Sequence, residues 1–289
     1  MENRQKSYLF AFLSVLFWST SASAFKISLR YENFLQLLLI SSLTSFLFLF
    51  AFLCFQKKLS LLKKLSRKDI FTSMVLGFFN PFLYYLILFK AYSLIPAQLA
   101  QPLNFVWPIM IVLLSIPLLK QKIRLKNIFA IFISFAGVVI ISTKGNLSGM
   151  GTENSLGIFL ALFSSIIWAI FWIFNLRNRT DEIIKLFLNF AVGFLLILIY
   201  FLIFSDLKFP GLYGIIGSVY IGLFEMGITF VLWLHALKYA ETTAHVNNLI
   251  YLTPFLSLIF INFVVGEKIL FSTFIGLIFI VFGIVLQKK

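Results

Sequence analysis

The chain has 289 residues, 61% of them hydrophobic and 12% charged, whereas a soluble domain is roughly 45–50% apolar and about a quarter charged. No water-soluble core could hide so much apolar surface, so lipid must be the solvent for most of it. The net charge of +14 would suggest nucleic acid as a partner of a soluble protein. Here the basic residues sit in short loops between apolar runs, where they set topology, and no nucleic-acid partner is expected. Cys54 is the sole cysteine, which excludes an intramolecular disulfide and a cysteine-based metal site.

Ten apolar runs follow one another: Tyr8–Leu29, Phe34–Phe55, Ile70–Tyr92, Ala97–Leu119, Asn127–Ser142, Ser155–Asn175, Leu186–Phe204, Leu212–Leu237, Ala244–Val265 and Leu270–Leu286. Most approach the ~20 residues that a helix needs to cross about 30 Å of hydrocarbon. The fifth and tenth are short. Arg4, Lys6, the first run and Ala22-Ser23-Ala24 imitate a cleavable signal peptide. Ser19, Thr20 and Ser21 interrupt its apolar core, and the segment matches a later one, so it is read as a retained helix.

With the N-terminus inside, eighteen of the 24 Lys and Arg residues fall on the inner side. That bias predicts ten spans with both termini cytoplasmic, in a multi-pass protein of the cell (inner) membrane.

The chain also repeats itself. Ser14 and Trp18 lie 150 positions before Ser164 and Trp168. Gly77, Phe79 and Ala91 lie 145 before Gly222, Phe224 and Ala236, and Pro108, Lys122 and Ile123 lie 146 before Pro254, Lys268 and Ile269. The Gly-, Ser- and Asn-rich stretch Lys144–Asn154 is the seam. Five spans per half is an odd number, so the second half must run inverted relative to the first. The expected fold is an all-α membrane protein of ten transmembrane helices arranged as two inverted five-helix repeats, a plan of secondary transporters.

Two five-helix repeats, a Trp near the middle of each repeat's first helix, the Ala236-Leu237-Lys238-Tyr239 turn, Pro254 and Gly266-Glu267-Lys268 resemble the drug/metabolite transporter superfamily in its EamA-domain branch. The resemblance divides the chain into EamA-type repeats at 1–145 and 150–289. One departure is that Lys120-Gln121-Lys122 stands where the second half has Gly-Glu-Lys. The resemblance implies metabolite transport across the cytoplasmic membrane, often export. It also implies a central cavity lined by the first, third and fourth helices of each repeat.

Glu225 is the sharpest chemical signal. A carboxylate inside an apolar span costs several kcal/mol unless it is paired, hydrated or protonated. It suits binding of a substrate amine or carriage of a proton; the plainer reading is a silent hydrogen-bond partner. Asn80 is its repeat counterpart. Polar and aromatic residues recur at helical spacing elsewhere: Ser14, Trp18 and Ser21; Ser164, Trp168, Trp172 and Asn175; Asn80 with Tyr84; Glu225 with Thr229; Gln98, Gln101 and Asn104; His245, Asn248 and Tyr251. Such faces avoid lipid and look into the bundle. Interhelical hydrogen bonding, at about 0.6 kcal/mol per pair, is the bland alternative for any one stripe. Several stripes on different helices favour a cavity.

The expected substrate-binding set is therefore Trp18, Asn80, Tyr84, Gln98, Gln101, Asn104, Trp168, Trp172, Glu225, Thr229, Asn248 and Tyr251. Trp107 and Trp233 suit either a pocket or the interfacial belt. No catalytic residue, metal or cofactor is expected: His235 and His245 lack companion ligands, and no nucleophile–base pair appears. Lys26 and Lys90 should snorkel to headgroups. The small residues Ala130, Ser134 and Gly137, with Gly276 and Gly283, suit scaffold packing or a homodimer contact through peripheral helices.

These residues suggest a carrier of a small polar or amphipathic metabolite, such as an amino acid, working by alternating access. Two other classes stay open. An intramembrane lipid-processing enzyme would need an acid–base pair, and Glu225 has no candidate partner for one. A channel-type permease would favour one continuous polar pore.

Overall fold

The computed structural model describes residues 3–120, 125–146, 154–175, 180–206, 208, 210–240 and 249–288. Every regular element among them is helical. This is the solution that lipid enforces, because a helix satisfies its backbone polar groups within its own segment. The first helices are α1 (Asn3–Ser28), α2 (Phe34–Phe55) and the short α3 (Leu59–Leu62). Next come α4 (Arg67–Gly77) and α5 (Tyr84–Leu94), joined by a π-helical turn, Phe78–Leu83. Then follow α6 (Ala97–Asn104), α7 (Trp107–Leu119), α8 (Leu125–Ser142), α9 (Ser155–Asn175) and α10 (Glu182–Phe204). The chain ends with α11 (Leu212–Phe224), α12 (Ile228–Tyr239), α13 (Thr253–Phe260) and α14 (Phe271–Lys288).

Seven stretches are long and apolar enough to cross a bilayer: residues 3–28, 34–55, 67–94, 97–119, 155–175, 182–204 and 212–239. Three shorter apolar helices, Ile128–Ser142, Ile250–Val265 and Phe271–Leu286, accompany them. The surface is correspondingly greasy, with Phe132, Phe204, Phe263 and Phe271 all exposed. A water-soluble monomer rarely tolerates apolar area on that scale. The chain is an integral, multi-pass membrane protein.

Polar residues mark the helix starts at the aqueous ends. Asn33 caps α2, accepting the N–H groups of Leu35 and Gln36, while Gln36 returns a bond to the Asn33 N–H. Ser66 and Asp69 build the same reciprocal box on α4, and Asp181 caps α10. Each cap satisfies N–H groups that the helix itself leaves unpaired.

Two spans expected to be continuous are broken in the middle, at aligned positions. Between α4 and α5, Asn80 leaves helical geometry (φ −146°, ψ 119°); the next residue, Pro81, has no N–H to continue the ladder. Between α11 and α12 the interruption covers Glu225 to Gly227. There the hydroxyl of Thr229 donates to the carbonyl of Phe224, which the break has freed. Breaks of this kind survive at membrane depth where the backbone is buried in protein, and Asn80 and Glu225 are both buried.

The packing interleaves the two parts of the chain. Helix α1 lies against α11, α12 and α13, all from the later part, and α9 lies against α5, α6 and α7, all from the earlier part. Helix α2 packs on α10 and α11, and α10 on α4. Helices α8 and α14 form an antiparallel pair whose small faces meet each other. Ser134 donates to the Ile280 carbonyl at 3.2 Å, Gly137 faces Gly276, and Gly283 faces Ala130. Those small stripes are therefore consumed within the chain.

Candidate functional site

One cavity of about 350 Å³ lies at the centre of this interleaving. Helix α1 contributes Trp18, Ser21 and Phe25; α5 contributes Tyr84 and Leu88; α6 and the segment after it contribute Gln101, Asn104 and Phe105. Trp107, Pro108 and Ile111 come from α7, and Trp168 and Trp172 from α9. The break after α11 supplies Glu225, α12 supplies Trp233 and Leu237, and the stretch leading into α13 supplies Ile250, Tyr251 and Thr253.

The walls are aromatic. All five tryptophans of the chain line this one space. Trp18 stands 5.5 Å from Trp233, and Phe230 meets both Trp18 and Trp168 edge-on at 6.0 and 5.9 Å. Tyr84 leans on Trp168 at 4.5 Å. Tilted and edge-on geometries of this kind add to the burial of each ring and hold the walls in place.

The polar groups are few and most are engaged with one another, while Thr253 Oγ1 has no hydrogen-bond partner among the described residues. Glu225 accepts from Ser21 Oγ on Oε2 at 2.5 Å and from Tyr85 OH on Oε1 at 3.0 Å. Both donors come from the earlier part of the chain. Tyr84 OH donates to Asn104 Oδ1 at 3.2 Å, and Asn104 Nδ2 donates to Ser164 Oγ at 2.8 Å. Tyr92 OH donates to Gln101 Oε1 at 2.8 Å, and Gln101 Nε2 donates to Ser257 Oγ at 3.3 Å. These bonds fix the amides and leave the carboxylate with lone pairs to spare, since an ionised carboxylate has about four acceptor sites.

Of the twelve residues expected at the site, Trp18, Tyr84, Gln101, Asn104, Trp168, Trp172, Glu225 and Tyr251 share this cavity. Asn80, Gln98 and Thr229 are elsewhere. Asn80 is fully buried in the α4–α5 break, and its amide has no hydrogen-bond partner among the described residues. Thr229 is buried against the α11 end. Gln98 donates to the Lys268 carbonyl at 2.8 Å and accepts from the Leu270 N–H at 2.9 Å. Asn248 lies outside the described residues, as does His245. Trp107 and Trp233 prove to be cavity residues. Their residue type alone could not decide this, because Trp serves pockets and interfacial belts alike. Among the described residues there is no group of side chains able to hold a metal ion.

A polar cluster joins helix ends on the side away from the start of α1. There Glu267 accepts the N–H groups of Ala97 and Gln98 at 2.9 and 3.0 Å, capping α6 from the far end of the sequence. Lys26 Nζ donates to the carbonyls of Tyr92 and Ile95, both at 2.9 Å. Lysine expected to snorkel towards headgroups is instead satisfied by the C-terminal carbonyls of α5. Arg30 donates to the Val265 carbonyl at 2.8 Å. Gly266 follows with φ +82° and nothing where a Cβ would stand, so its conformation rather than its space favours glycine. This cluster joins the ends of α1, α5 and α6 to the α13–α14 turn.

An all-helical membrane protein with a central, tryptophan-walled cavity and a buried carboxylate belongs to the solute-transporting class of helical bundles. The profile of the EamA-like transporter family matches residues 5–143 and again residues 155–287. The chain belongs to that family, and it is a transport protein. It is 26% identical over 286 residues to one uncharacterised transporter of Archaeoglobus fulgidus, covering 97% of this chain and 96% of that one. It is 28% identical over 289 residues to a second from the same organism, covering 98% and 100%. A crystal structure of 21% sequence identity superposes with a TM-score of 0.69, covering 98% of this chain and 96% of the other, and so shares its fold.

Proposed function

We propose that the protein is a secondary carrier. It moves a small polar or amphipathic metabolite across the cytoplasmic membrane by alternating access, with Glu225 as the chemically active group of its site. The observation that carries this reading is a cavity that Glu225, held by Ser21 and Tyr85, lines together with five tryptophans. Its volume of about 350 Å³ falls in the range of small-molecule sites.

The carrier is built as ten spans in two inverted repeats, residues 1–145 and 150–289. The contacts support this arrangement because they come in matched sets: α1 on α12 corresponds to α9 on α5, and α2 on α11 to α10 on α4. The helix breaks at Asn80 and Glu225, 145 positions apart, and the antiparallel α8–α14 pair support it as well. Discontinuous helices at a repeat interface are where such carriers bind substrate. Both termini are cytoplasmic by the distribution of lysine and arginine. The cluster around Glu267 then faces outward, and in this reading export begins with loading of the cavity from within.

The test is flux through purified protein in liposomes over a metabolite panel, comparing wild type with Glu225→Gln. The substitution keeps the shape and removes the charge. A folded, inserted variant whose flux is strongly reduced or has lost its pH dependence is expected. Normal rate and pH profile would make Glu225 a packing partner and defeat the proposed role.

A further inference from the structure

We propose that this cavity selects organic monocations, an amine or ammonium group on an aromatic or apolar body, over zwitterionic amino acids and over anions. The inference rests on the carrier reading above and narrows its substrate class.

Three features of the cavity lead there. First, among the described lining residues Glu225 is the single carboxylate, and no lysine, arginine or histidine appears. Among the described lining residues, a substrate carboxylate entering this space would meet the Glu225 carboxylate and no positive side chain. Second, the amides near the carboxylate are neutral, and each already spends its oxygen and one of its two N–H groups within the protein. Asn104 is tied to Tyr84 and Ser164, and Gln101 to Tyr92 and Ser257, at both ends of each amide. The indole N–H groups are neutral donors and cannot offset a charge. An ionised group buried without a counter-charge is strongly disfavoured, so the carboxylate of an amino acid acts as a penalty against binding. Rejection by an unpaired charge is one of the two routes to specificity.

Third, the same walls suit a cation. Trp18, Trp168, Trp172 and Trp233 line one small volume that also contains Glu225. A cation is attracted to the face of an aromatic ring, most strongly to Trp, and more so where water is excluded. Glu225, when ionised, adds a full charge. Its two oxygens each accept one bond from the protein, leaving lone pairs for an ammonium group. The apolar part of the ligand is left to Phe25, Leu88 and Phe105.

The arrangement supplies its own assay. Because all five tryptophans line the cavity, indole fluorescence of the purified protein reports occupancy of this space directly. Three probes share a phenyl body and differ in charge: phenethylamine, phenylalanine and 3-phenylpropanoate. Phenethylamine is expected to shift or quench the emission with a half-saturation at least tenfold below that of phenylalanine, and 3-phenylpropanoate is expected to bind weakest. In Glu225→Gln, with folding checked by thermal unfolding, the amine should lose at least tenfold while the anion does not weaken. Phenylalanine or 3-phenylpropanoate binding as tightly as the amine overturns the proposal, as does the lack of any response to all three. An unchanged amine affinity in folded Glu225→Gln overturns it too. If the variant does not fold, the ranking of the three probes on the wild type decides alone.

Uptake of the same probes into proteoliposomes separates this inference from the one beneath it. Selective binding of phenethylamine without movement would end the carrier reading and leave the charge selection intact. Equal movement of the amine and the amino acid would do the reverse.

Discussion

Glu267 Oε1 accepts the backbone N–H of Ala97 at 2.9 Å, across 170 positions of sequence. Its other oxygen takes the N–H of Gln98 at 3.0 Å. Both N–H groups belong to the first turn of α6, where a helix has no internal acceptor for them and where its dipole favours a negative charge. One side chain from the α13–α14 turn thus completes a helix of the earlier part of the chain, and Lys26 and Arg30 tie α1 into the same junction.

That junction is expected to hold the outer face shut. Hydrogen bonds to a charged group contribute about 1.5–3 kcal/mol each, and about 1.4 kcal/mol is a tenfold change in population. Glu267→Gln keeps the length of the side chain but loses the charge and can accept through one oxygen only. The outward-open population should rise at least tenfold. Phe25 lines the cavity and directly precedes Lys26 of that junction, so a Phe25→Cys reporter in a Cys54→Ser background reads this directly. Its labelling by an impermeant maleimide added outside should accelerate in Glu267→Gln. Labelling at an unchanged rate would show that the cluster is not the gate.

Much of this architecture is legible in the residues, and what is not has physical causes. The offsets of 145 to 150 positions align α1 with α9 and α12 with α5, and the structure packs α1 on α12 and α9 on α5. Polar stripes anticipate Trp18, Tyr84, Gln101 and Glu225 at one cavity, because such faces cannot look at lipid. Helical spacing cannot tell a mid-helix position from a first turn, however. Gln98 shares a stripe with Gln101, yet it sits at the start of α6 and spends its amide on the Lys268 carbonyl and the Leu270 N–H. Periodicity also runs straight through the breaks at Asn80 and Glu225. Those breaks turn on single residues, Pro81 with no N–H to give and Thr229 with its hydroxyl on the Phe224 carbonyl, which an apolar period does not register.

The α8–α14 pair gives a prediction that leaves the cavity alone, since neither helix contributes a lining residue. A Cβ added at Gly276 would come within 2.5 Å of Ile141 Cγ1 and 2.7 Å of the Gly137 carbonyl oxygen. Gly276→Leu must therefore push the helices apart, and overpacking typically costs 1–3 kcal/mol. The thermal midpoint of the purified protein should fall by several degrees, at roughly 2–4 °C per kcal/mol for a chain somewhat smaller than this one. Ligand affinity per folded molecule should stay within about twofold of wild type, an estimate that follows from the distance between this interface and the cavity. An unchanged midpoint would mean that the close approach of the two glycine faces is not what holds this pair.

A second carboxylate should make stability depend on pH. Glu32 sits in the turn between α1 and α2, buried, with Oε1 accepting from Ser218 Oγ at 2.7 Å on α11 and Oε2 without a hydrogen-bond partner among the described residues. Burial pushes its pKa up from 4.5 to about 7, against the lowering effect of the Ser218 bond. The folded protein therefore prefers the protonated acid, while the unfolded chain ionises at the ordinary value. Its contribution to stability is complete below pH 4.5 and is lost as pH rises to and through about 7. In thermal unfolding of the purified protein, the midpoint should fall between pH 5 and pH 8. Glu32→Gln stays neutral throughout and keeps an oxygen for Ser218, so it should flatten that slope and raise the midpoint at pH 8. A slope of the same size in Glu32→Gln would assign the pH dependence to other groups and leave Glu32 neutral in its effect.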